Sequence, residues 1–217
     1  MNPALIELII LAGIAVFLFL RLRSVLGTRE GFEKPRMQPK NDAPKRDFKV
    51  IDGGEDKDIT DNVEKNSSSA KALKTIKEND EAFMVNEFLS GARSAYEWIL
   101  MSFEKNEIDD IRELLSEEVA EAFDSVVEQR ISQGLTIEAE FIGVREMKLV
   151  DASYNSKTKT AEIAVSFIGE MTSVVKNSSG EIVEGDSKQI KRQKDTWTFS
   201  KDILSDNPNW ILVATGE

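Results

Sequence analysis

The chain has 217 residues, 28 Lys and Arg against 39 Asp and Glu, a net charge of −11, and neither Cys nor His. Without Cys there is no disulfide, thiol catalysis or thiolate metal site, and without His the usual general base and the commonest transition-metal ligand are missing. A protein without catalytic residues, metal or cofactor is therefore expected, and a domain this acidic offers no basic face for nucleic acid.

The N-terminal run is almost purely apolar. Ala4 to Leu20 is 17 residues, about 26 Å as a helix against a hydrocarbon core of about 30 Å. Its centre is Leu8, Ile9, Ile10, Leu11, Ile14, Val16, Phe17, Leu18, Phe19 and Leu20, and its one charge, Glu7, sits near the start. Arg21 and Arg23 flank the far end and no Lys or Arg precedes it. A cleaved signal peptide carries its basic residues before the apolar core. Residues 1–26 are therefore expected to be a single transmembrane anchor, and the positive-inside rule puts the N-terminus outside and the body in the cytoplasm or an equivalent compartment.

Residues 27–70 contain Gly27, Gly31, Pro35, Pro39, Pro44, Gly53 and Gly54 among Lys, Asp and Asn, with few large apolar side chains. Burial there cannot offset ordering entropy, so a flexible linker is expected. Charge changes along the chain: residues 21–49 hold nine Lys or Arg against four Asp or Glu, whereas the remainder is strongly acidic. A basic tract beside an anchor is attracted to anionic headgroups, while the acidic body stands off them.

From Lys71 onward a helical period begins. Leu73, Ile76, Phe83 and Phe88, then Ala92, Ala95, Tyr96, Ile99, Leu100 and Phe103, recur at steps of three and four, with Asn79 or Asp80 available to cap a fresh start. Asn106 is expected to cap a short helix with Ile108, Ile111, Leu114 and Leu115 inward, and Ser116 the next, which Gly134 ends. Strands follow. Ile137 to Leu149 alternates, with a phase break near Ile142 and Gly143 that suits a bulge. Asn155 to Lys159 reads as a polar turn into a second strand from Ala161 to Val175 with a clean period of two. Asn177 to Gly185 connects to a third strand, Lys188 to Phe199, whose first half is charged and second half aromatic. Trp210 to Thr215 is the last. Helices preceding strands, not alternating with them, indicate an α+β domain over residues 71–217. A strongly curved four-stranded antiparallel sheet is expected to wrap the helices and enclose a cavity.

The chain shows no Gly-rich phosphate loop, nucleophile elbow or zinc spacing. Glu117, Glu118 and Glu121, like Asp109, Asp110 and Glu113, read as solvated helix faces. Catalysis would require an Asp or Glu held beside Tyr96 or Tyr154. Basic residues of the third strand are expected to pair across strands, Arg192 or Lys194 against Glu170 or Glu162. Phe141, Phe167, Met171, Trp197, Phe199 and Trp210 form a candidate apolar pocket for an acyl chain or apolar peptide, with core packing as the alternative.

Asp195-Thr-Trp197-Thr-Phe199, followed by Asp206-Asn-Pro208-Asn-Trp210-Ile-Leu-Val-Ala214-Thr215, resembles the bacterial, especially alphaproteobacterial, members of the Tim forty-four-like family. The order of anchor, tether, helices and sheet agrees, over residues 70–216. The resemblance implies a cystatin-like or nuclear-transport-factor-two-like fold and a non-enzymatic adaptor or scaffold with its domain on the cytoplasmic face of a bacterial inner membrane, the N-terminus being periplasmic. Its implied partners are membrane lipids and proteins of the inner membrane, translocase and chaperone among them, as in membrane-protein biogenesis or quality control. In the mitochondrial relative the resemblance implies tethering of an import-motor chaperone to a translocase, and a domain with a large apolar pocket that meets cardiolipin-containing membrane. This chain departs in carrying a true apolar anchor and lacking a long charged chaperone-binding region, so membrane-proximal protein binding is the part carried over. A lipid- or small-apolar-ligand module is the alternative.

Overall fold

The computed structural model describes residues 56–205 and 207–216. The expected anchor, residues 1–26 with Leu8 to Leu20, Arg21 and Arg23, and the linker as far as residue 55 lie outside the described residues. Among the described residues no helix is long and apolar enough to cross a membrane.

Ordered packing starts earlier than the hydrophobic period indicates. Residues 56–70, assigned to the linker from composition, hold a single-turn helix, α1 (Lys57–Thr60), whose Ile59 is buried in the core. Ser67 then caps α2 (Ser68–Asn79) by accepting the Ala70 N–H at 3.0 Å, and Leu73 and Ile76 face inward. Helix α3 (Val85–Glu104) buries Val85, Phe88, Leu89, Ala92, Tyr96, Ile99 and Leu100, the apolar stripe its period requires. Neither Asn79 nor Asp80 caps it. The side chain of Asp58, on α1, accepts the Val85 and Asn86 N–H groups at 2.7 and 2.9 Å. Asn106 also differs from expectation. It does not cap the following 3-10 helix (Ile108–Leu114) but ends α3 with φ 62°. Its N–H bonds the Phe103 carbonyl and the Glu107 N–H bonds the Ser102 carbonyl, at 3.2 and 2.8 Å. Asn tolerates this left-handed position better than most residues and so serves at a helix end in place of glycine. Helix α4 (Glu117–Ser132) has both expected ends, with Ser116 accepting the Val119 N–H at 3.3 Å and Gly134 at φ 65°.

Four antiparallel strands follow in the order β1-β2-β3-β4: β1 (Thr136–Asn155), β2 (Thr160–Lys176), β3 (Ile182–Asp202) and β4 (Ile211–Gly216). The sheet is α+β in class as expected, but it is not closed; β1 and β4 are its two edges. β1 slips register between Phe141 and Gly143, where the alternation breaks in the sequence, and again before Glu146 and Asp151. Each slip adds a bend that a flat strand of this length would lack. Along β2, Ala161, Ile163, Val165, Phe167 and Met171 are buried, and this face carries the helices.

The third strand is longer than its charged composition suggests. It enters the core only near Trp197, and β4 pairs it only over Thr196–Ser200. Upstream its register jumps from Met171↔Lys191 to Ser173↔Asp186, so Ser187, Lys188, Gln189 and Ile190 stand opposite Thr172 alone. Gly185 makes the jump possible: its φ is 85°, and a Cβ there would strike the Ser173 carbonyl. Such a bulge, with charges around it, blunts an edge that would otherwise accept a further strand.

Candidate functional site

Ring contacts join eight aromatic side chains into a continuous seam between α3 and the sheet. At one end Phe141 meets Tyr96 at 6.2 Å. Tyr96 stacks on Phe167 at 4.4 Å and 9° and tilts against Trp197 at 4.7 Å. Trp197 leads to Phe199, Phe199 to Phe88, and Phe88 to Trp210 at 4.7 Å, with Phe83 beyond it.

Strand register explains this order. Val165 faces Trp197 and Ile163 faces Phe199 across the β2–β3 pair, while Phe141 faces Met171 across β1–β2. Phe167, Met171, Trp197 and Phe199 are buried, and Phe141 and Trp210 are partly exposed at the two ends. Thus Phe141, Phe167 and Met171 lie at one end with Trp197, while Phe199 and Trp210 lie toward the other. The linking residues are Tyr96 and Phe88. Hydrophobic period placed both on the buried face of α3, and the sign of a larger role was aromatic rings two turns apart on that face.

Tyr96 is 0% exposed and its hydroxyl donates to Asp195 Oδ2 at 2.6 Å. Burial first, and then the Asp195 carboxylate, push the phenol well above its ordinary pKa. A carboxylate beside Tyr96 is the arrangement named above for catalysis; here the bond ties α3 to β3. Asp195 also accepts from Gln193 Nε2 at 3.0 Å. Gly169 leaves room for the hydroxyl; a Cβ there would stand 2.7 Å from it. Tyr154 Oη is buried without a hydrogen-bond partner among the described residues.

Charged groups flank the seam. Glu170 accepts from Arg192 Nε at 2.9 Å, the expected cross-strand pairing, and also from Arg145 Nη1 of β1 at 3.3 Å. Arg192 chiefly, outweighing desolvation, holds the Glu170 carboxyl below its usual range. Where α3 ends, Arg130 lies 4.3 Å over the Phe103 ring and donates to the Phe103 carbonyl at 3.1 Å. Burial raises the neighbouring Glu104, against the pull of Arg130 and Lys191. Among the described residues no cluster of three or more carboxylates converges as a metal site. A polar depression lined by Ser153, Asn155, Thr158, Thr160 and Glu162 lies at the β1–β2 turn.

The family described as Tim44-like domain matches residues 69–217. No curated protein matches the chain. Among solved structures it is similar to the intermembrane space region of the chloroplast protein ARC6, with 8% identity and a TM-score of 0.36, covering 66% of this chain and 94% of that chain.

Proposed function

Because the chain belongs to the Tim44-like domain family, we propose that it is a non-enzymatic adaptor, anchored by residues 1–26, that positions protein partners at the cytoplasmic face of an inner membrane. The observation that carries this reading is the placement of the family's domain, residues 69–217, behind an apolar run closed by Arg21 and Arg23. The domain's polar chemistry is consistent with it. The one carboxylate beside a buried phenol ties α3 to β3, and the remaining charged pairs lie at the surface or at helix ends.

A lipid- or small-apolar-ligand module is the second reading, favoured by the aromatic seam, whose partly exposed ends offer rings to an acyl chain. Washing membranes at high pH tests the anchoring. The full chain is expected to stay in the pellet, whereas release of most of it into the supernatant would overturn the anchored reading.

A further inference from the structure

The outward face of α3 carries a pattern that neither the aromatic seam nor the anchor accounts for. Opposite its buried stripe lie the exposed Glu87, Gly91, Ser94 and Trp98, the half-buried Met101 and, at the C-cap, the exposed Lys105, at successive steps of 4, 3, 4, 3 and 4 residues. Steps alternating between three and four keep these six on one face, where a second helix could meet all of them. Trp98 is 53% exposed on this seam, which is unusual for so large a side chain. A Cβ on Gly91 would meet nothing within 4 Å. Neither Glu87 nor Lys105 makes an ion pair among the described residues.

The spacing reads the same in both directions, but the chemistry does not. An acidic residue and two small ones occupy the N-terminal half; two large ones and a base occupy the C-terminal half. An antiparallel copy of the same helix therefore meets it in complement. Met101 lies over the partner copy's position 91, Trp98 over position 94, and the ends bring Glu87 and Lys105 of opposite copies together. Large side chains fall on small ones, and the Glu87–Lys105 pair forms twice through the two-fold axis, as an isologous interface requires. We propose that this face of α3 is a self-association surface, on which a second copy of the chain docks antiparallel.

One helix pair buries little area, at or below about 1,200 Å² in total, so the dimer is weak. Sedimentation velocity of the full chain in detergent micelles, at concentrations up to about 1 mM, reads it directly. A monomer–dimer equilibrium is expected. Glu87→Lys or Lys105→Glu alone weakens dimerisation at least about tenfold by placing like charges together, and Trp98→Ala weakens it by removing the largest contact. The double reversal Glu87→Lys with Lys105→Glu restores the dimer to within about threefold of the parent. Both reversals oppose the helix dipole, so mere weakening of α3 would make the double variant worst. A monomer at every concentration, single reversals without effect, or failure of the double variant to recover would each overturn the proposal.

Discussion

Tyr96→Ala is expected to destabilise the domain by about 3–5 kcal/mol, the range for deleting a fully buried aromatic ring. The ring stands at the junction of the seam, in contact with Phe141, Phe167 and Trp197 at once, and neighbours fixed in β-strands cannot collapse into the space it leaves. Tyr96→Phe separates the hydroxyl from the ring. It removes only the bond to Asp195, a neutral donor on a charged acceptor, and is expected to cost about 1.5–3 kcal/mol. Asp195 retains its bond from Gln193, which favours the lower end. Urea unfolding followed by far-UV circular dichroism measures both. Equal losses for the two variants would show that the hydroxyl, and not the packing, dominates.

Asp58→Ala is expected to cost about 2–4 kcal/mol, a large effect for a residue of a one-turn helix. Its carboxylate is the N-terminal cap of α3, accepting from Val85 and Asn86, and is also 2.7 Å from Lys77 Nζ on α2. Removal leaves two N–H groups without their acceptor and Lys77 with Asp56 alone, at 2.8 Å. The same site predicts a pH dependence. Burial by itself would raise the Asp58 carboxyl, but the bonds from Lys77, Asn86 and Val85 outweigh it and hold the group below its ordinary range. The folded state thus takes up this proton less readily than the unfolded state. Its stabilisation is complete above the unfolded value of about 3.9 and is lost as pH falls through the folded value. Unfolding of Asp58→Asn is expected to be less sensitive to acid over that window than the parent, and parallel acid titrations would exclude the role. Lys77 carries the opposite sign. Burial would lower it, yet Asp56 and Asp58 raise it, so its contribution is present below an unfolded value of about 10.4 and is lost as pH rises through the folded one.

These two sites mark where local pattern stops being informative. The helix-then-strand order, the Ser116 and Gly134 ends of α4, the turn at Asn155 and the break near Ile142 are written in residues next to one another, and the structure has them there. The cap of α3 comes from 27 residues upstream, out of a tract whose composition reads as linker. A single turn with one buried residue, Ile59, has no period to detect. Asn106 was legible as a helix boundary, but Asn suits both ends of a helix, and only the sign of φ separates the two roles. The bulge opposite Thr172 needed Gly185, which composition marks only as a turn residue. Phe141, Phe167, Trp197, Phe199 and Trp210 make ring contacts in the seam and Met171 faces Phe141 across β1–β2, yet the joining residues are on a helix. Period can assign Tyr96 to an inward face without revealing which rings it will touch.

The central claim is that the domain recruits protein at the membrane, and photo-crosslinking in native membranes tests it most directly. The full chain is compared with residues 1–55 alone, and captured neighbours are identified by mass spectrometry. The account predicts membrane-associated protein partners captured by the full chain and absent from the short control. Capture of the same set by both, or of lipid without any protein above the control, would contradict it.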